Sequence, residues 1–120
     1  MRGVIAALLL AGPVSAAEAP AWEGYWAEDL RWCARGAGQP GEETPDWYGR
    51  DGLFGLEWSC DITSVTATGV GQSWALQLDC LDAGYAYKDA LLFQVTWQDR
   101  LHVITADGEI RNFLRCEGGM

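Results

Sequence analysis

Histidine is nearly absent from this 120-residue chain, with His102 the single copy. Hydrolases of the Ser-His-Asp or Cys-His kind need a base held in place by a third group. One imidazole between Leu101 and Val103, in strand-like sequence, would have to serve any such scheme alone, so the chain is not expected to be an enzyme. Basic residues are scarce too: eight Lys and Arg stand against 17 Asp and Glu, a formal charge of −9. Nucleic acid and anionic membranes both reward Lys and Arg, so neither is an expected partner. A basic protein is.

Long apolar runs are also missing. The stretch Val4 to Ala11 is far shorter than the roughly 20 residues of a spanning helix. It follows Arg2 and precedes Val14-Ser15-Ala16, the layout of a secretory signal peptide with its small-residue cleavage site. Pro13 stands where a lipidated cysteine would have to be, so no membrane anchoring is expected. The reading is a signal peptide over 1–17 and one domain over 18–120, periplasmic or secreted. Losing Arg2, the only charged residue of the leader, takes the formal charge from −9 to −10.

No pair of cysteines has C-x₂₋₄-C spacing, and one histidine does not complete a mixed zinc site. Asp107-Gly108-Glu109 lacks the spaced oxygens of a calcium loop. Gly69-Val70-Gly71 has no following Lys and is no phosphate cradle. No metal and no cofactor are expected. The paired acids Glu42/Glu43, Asp79/Asp82 and Asp107/Glu109 lie at loops and turns, where solvated carboxylates are the simpler account than a glycosidase pair. The four cysteines are Cys33, Cys60, Cys80 and Cys116. An even count in a short exported chain implies two disulfides and leaves no free thiolate. Spacing does not choose among the connectivities. Cys33–Cys60 with Cys80–Cys116 is favoured because it closes two consecutive loops of moderate size, and Cys60–Cys80, within one hairpin, is its rival.

What the chain has is alternation. From Gly52 to Cys80, Leu56, Trp58, Cys60 and Ile62 share one face, then Trp74, Leu76, Leu78 and Cys80, with polar residues between; this is the period of half-buried strands joined as a hairpin. Trp22 to Trp26 reads as a first strand and Trp47-Tyr48 as a short one. Leu91, Phe93, Val95 and Trp97 alternate before a turn at Gln98-Asp99-Arg100. Leu101 to Thr105 and Ile110 to Cys116 flank Asp107-Gly108, a hairpin turn signal. Between Ala27 and Arg35 the spacing of Trp26, Leu30 and Cys33, acids early, bases late and Gly36 at the end predict one short helix. Gly36 to Asp46 is a loop. The expected fold is mainly β: six to seven strands in an antiparallel meander closing into a small barrel or sandwich.

The chain is rich in tryptophan, with seven. Trp58, Trp74 and Trp97 sit on apolar strand faces and read as core. Trp22, Trp32 and Trp47 are not placed by pattern. With the loop residues Thr66, Thr68 and Gly69 they are the candidate binding surface, since exposed tryptophan is a favoured interface anchor.

Gly24-Tyr25-Trp26 at the first strand resembles the Gly-x-Trp start of lipocalin-like barrels. With the signal peptide, the small barrel and the disulfides, the chain also resembles periplasmic inhibitors of lysozymes and proteases. The wider pattern of Trp32-Cys33, Gly55 to Ile62, Trp74 to Cys80 and Arg115-Cys116 is similar to small exported disulfide-bonded β proteins of Gram-negative bacteria. The resemblance implies a non-enzymatic binding module, an inhibitor of a lysozyme or protease. The Ser-Gly-x-x-Tyr loop that lysozyme inhibitors insert into their targets has only a loose counterpart in Thr66 to Gly71. The alternative is a carrier holding a small apolar or sugar ligand in a Trp-lined barrel mouth.

Overall fold

The computed structural model describes residues 19–35 and 43–117; the leader 1–17 lies outside them. The chain winds as one closed antiparallel barrel of eight strands, each paired with its successor and the last with the first. The strands are β1 (Gly24–Ala27), β2 (Asp46–Tyr48), β3 (Gly52–Gly55), β4 (Trp58–Ala67), β5 (Ser73–Asp82), β6 (Tyr85–Thr96), β7 (Arg100–Thr105) and β8 (Ile110–Arg115). The chain's entry at Pro20–Glu23 and the β2–β3, β4–β5 and β6–β7 turns gather at one end, called lower here. The β3–β4, β5–β6 and β7–β8 turns form the upper end.

The meander and its closure match expectation, but the strands number eight rather than six or seven. The segment Gly52 to Cys80 is three strands, not two. Its alternation through Leu56 hides a two-residue turn, Leu56-Glu57, with Glu57 at φ 66° between the register partners Gly55 and Trp58. Glycine is required at 55, because a Cβ there would fall 2.1 Å from the Trp58 indole nitrogen. β6 also begins six residues ahead of Leu91, straight after a tight turn at Ala83 and Gly84, both at positive φ.

The expected helix over 27–35 is replaced by a five-residue 3₁₀ turn, Leu30–Ala34. Ladder pairing with β2 and β8 claims Trp26 and Ala27 for β1, and Leu30, meant for the inner face, is exposed. What is left is too short to nucleate an α-helix. Asp29 caps the turn by accepting the Arg31 N–H at 2.9 Å.

The favoured disulfide pairing is also overturned. The bonds are Cys33–Cys116 and Cys60–Cys80. Cys60 and Cys80 are direct register partners on the inward faces of β4 and β5, so adjacency in the ladder decides the pairing. Cys33 then reaches over the outside of the barrel to the chain beyond β8. That tie closes a loop of 83 residues and fastens the 3₁₀ turn against the wall.

Aromatic rings fill the barrel. Tyr48 of β2 and Phe93 of β6 lie four strands apart around the wall, yet their rings stack at 5.3 Å, and Tyr48 also meets Phe113 at 6.0 Å. Trp22, Trp26, Leu53, Leu76, Leu101 and Val103 pack around them, all buried. Rings from opposite walls in contact leave the interior occupied by side chains, as in the smallest eight-stranded barrels. No helix among the described residues is long and apolar enough to cross a membrane.

Candidate interaction surface

The lower end is closed by two side chains. Trp22 turns in from the entry segment, its indole N–H donating to the Gly49 carbonyl at 2.9 Å and its ring lying 5.0 Å from Trp74 and 5.9 Å from Phe93. Trp22 therefore does not belong to a binding surface; only the barrel end offers this ring a dry site with an acceptor for its N–H. Arg115 is the second. Its guanidinium stacks 4.3 Å from the Trp26 ring and donates to the carbonyls of Gln98 (2.8 Å), Glu23 (2.6 Å) and Ala21 (2.9 Å). Partial burial lowers its pKa from the ordinary guanidinium value. Glycine at 24, with φ 148°, leaves room for it: a Cβ would come within 2.7 Å of Nη1.

Arg115 also anchors the β6–β7 turn, since its backbone N–H donates to the Asp99 carbonyl at 2.9 Å. Thr96 and Arg100 are register partners, so Trp97, Gln98 and Asp99 form the turn. Trp97 (φ 62°) and Gln98 (φ 69°) are both left-handed. Such positions favour glycine or asparagine and cost other residues on the order of 1 kcal/mol each. The geometry throws the Trp97 ring outward, 83% exposed. This corrects the sequence reading that made Trp97 core.

The β4–β5 loop stands at the same end. The Val70 N–H donates to Thr68 Oγ1 at 3.1 Å, Ser73 Oγ donates to the Val70 carbonyl at 2.6 Å, and Gly69 and Gly71 take positive φ. These bonds hold the loop in one shape and leave Val70 71% exposed. Thr68 and Gly69 are exposed in this loop, whereas Thr66, read from the sequence as a loop residue, is an exposed residue of β4 opposite Ala75. On the other side a groove of about 780 Å³ is lined by Leu30, Gln72, Trp97, Gln98, Leu114 and Arg115, among others. The lower rim thus offers three exposed apolar side chains, Trp97, Val70 and Leu30, on elements tied by hydrogen bonds or a disulfide.

The three unplaced tryptophans do not share a patch. Trp22 is inside, Trp32 is half-buried on the 3₁₀ turn, and Trp47 is half-buried on β2 with its ring 4.8 Å from Tyr25. Reading inward alternation from both strands would have located Trp97. Val95 and Leu101 are the last and first inward residues of β6 and β7, so they must pair, which leaves Trp97 in the turn.

Elsewhere, several titratable groups are held by hydrogen bonds to other side chains. At the upper end Asp46 points inward with Tyr48, whose hydroxyl donates to its Oδ2 at 3.1 Å. Burial raises the Asp46 carboxyl to about 6, against the opposing pull of the Tyr48 bond and Arg111. Arg111 is held by Glu28 through contacts of 2.7 and 3.2 Å. His102 lies across from Gln94 and Asn112, its Nδ1 2.6 Å from Asn112 Oδ1 and its Nε2 3.3 Å from Thr96 Oγ1. No carboxylate is among those partners. Comparison of the chain with protein-family models, curated proteins and solved structures gives no match.

Proposed function

We propose that this protein is a non-enzymatic exported binding module that docks a protein partner through its lower rim, with inhibition of a basic lysozyme or protease as its task. Two disulfides call for an oxidising, non-cytoplasmic compartment. The closed eight-stranded meander with Gly24-x-Trp26 on its first strand supports the lipocalin-like reading. The observation that carries the proposal is Trp97, a large ring 83% exposed on a turn held rigid by Arg115. Pre-organised aromatic anchors on rigid elements are what protein interfaces use, because little entropy is lost on docking. The charge of −9 steers basic partners toward the molecule at a distance. A ligand on the barrel axis, as a carrier needs, meets the stacked rings of Tyr48 and Phe93.

The test is titration of the mature protein against purified basic lysozymes and serine proteases at low and high salt. Inhibition is expected, weakening with salt, and Trp97→Ala should lower affinity about 30-fold or more, as for an interface anchor. Inertness across the panel, or equal inhibition by Trp97→Ala, refutes the proposal.

A further inference from the structure

The upper end of β6 is a sheet edge. Among the described residues, β7 covers β6 only from Leu91 to Thr96, whereas β5 accompanies it from Tyr85 to Gln94. Tyr85 to Ala90 therefore has a neighbour on one side alone. Backbone groups alternate sides along a strand. The Val95 N–H donates toward β5, to the Gln72 carbonyl at 2.9 Å, so Ala86, Lys88 and Ala90 present theirs to the open side. The Ala90 N–H is taken by Asp89 Oδ1 at 2.8 Å; the N–H and C=O groups of Ala86 and Lys88 remain for a further strand.

The side chains around this edge have a definite chemistry. Tyr85, 80% exposed, and Tyr87, 41% exposed, share the barrel-facing side with Asp82 and Asp89, as the register pairs Asp82↔Tyr85 and Leu78↔Asp89 require. Both carboxylates lie near enough to Tyr87 to add to the effect of burial in raising its phenol. On the opposite side Ala86 and Ala90 are small. Lys88, the sort of charge that guards an edge, is turned onto β5 by its 2.7 Å ion pair with Asp79.

We infer that the Tyr85–Ala90 edge of β6 is a strand-addition site whose occupant is an extended, basic segment of a protein partner. The added strand bonds to the backbone of Ala86 and Lys88. Its alternate Lys or Arg side chains fall on the two tyrosine rings and the two carboxylates, and its intervening small residues lie over the alanines. A second copy of this chain would set acid against acid, which is why a basic segment is the occupant. The inference does not rest on the Trp97 rim, which lies at the other end of the barrel.

The probe is a synthetic Lys-Val-Lys-Val-Lys-Val peptide, with Glu-Val-Glu-Val-Glu-Val as control, added to the full disulfide-bonded protein. Hydrogen exchange at the Ala86 and Lys88 amides should slow about tenfold or more with the basic peptide and not with the acidic one, and binding should weaken about tenfold between low and high salt. Ala86→Pro deletes one edge-facing N–H without touching the β5 ladder. It should weaken binding about tenfold, as should Asp82→Asn combined with Asp89→Asn, a pair that keeps the backbone unaltered should the proline variant fail to fold. Undiminished binding by the Asn pair, protection confined to the Trp97 rim, or a wild-type dimer in ultracentrifugation that the Asn pair leaves intact or tightens would each overturn the inference.

Discussion

Asp46 makes the stability of this acidic protein fall as pH rises through the weakly acidic range, and Asp46→Asn removes that dependence. Its carboxyl titrates near 3.8 in the unfolded chain and at about 6 in the folded one, because burial among Pro45, Tyr48 and the barrel wall disfavours the charge. Between those values the folded state holds the proton more tightly, so stability is greatest below about pH 4 and is lost as pH rises through about 6. A difference of about two pH units corresponds to about 3 kcal/mol. The opposite sign belongs to Asp29, lowered to about 2 chiefly by its hydrogen bond from the Arg31 side chain. Its contribution is lost only as pH falls from below 4 toward 2, outside the Asp46 window. Asn at 46 still accepts the Tyr48 hydroxyl and carries no charge, so it mimics the protonated acid. Urea unfolding followed by tryptophan fluorescence at pH 4, 5, 6 and 7 should give near-equal stabilities at pH 4 and a variant more stable by about 2–3 kcal/mol at pH 7. Parallel curves for the two proteins over that range, or a less stable variant at pH 7, would refute the reasoning.

Trp97→Gly should raise stability by about 0.5–1 kcal/mol, since it relieves a left-handed residue and removes a ring that packs on little, and thermal unfolding checks the sign. Trp22→Ala should cost about 3–5 kcal/mol by emptying the lower end of the barrel, measured by denaturant titration. Non-reduced peptide mapping should recover Cys33 with Cys116 and Cys60 with Cys80. Breaking the longer tie by Cys33→Ala with Cys116→Ala should cost about 4.5 kcal/mol by the loop-entropy estimate and the shorter about 3 kcal/mol. Gly55→Ala should destabilise by more than 1 kcal/mol, because neither the backbone nor the Trp58 ring beside it yields cheaply.

The amino-acid sequence by itself determined that this is a β meander. Alternation in β5, β6 and β7 marks inward residues directly, since a strand has only two faces and water selects between them. The exposed turn at Thr68 to Gly71 was legible for the same reason, since glycine and threonine between two alternating runs have nothing to bury, although Thr66 ahead of it belongs to β4. What alternation does not reveal is where a strand ends, because a turn of two residues leaves the period unbroken. That is how Leu56 hid the division between β3 and β4, and how Trp97 passed for the next inward residue after Val95. Only the tertiary structure decided the disulfides, since Cys60 meets Cys80 through ladder register and Cys33 meets Cys116 through closure of the barrel. The same closure decided which tryptophans are structure and which is surface. Trp22 fills an end that exists only once β1 has joined β8, and Trp97 stands out on a turn held by Arg115, whose side chain also bridges that seam to Glu23 and Ala21.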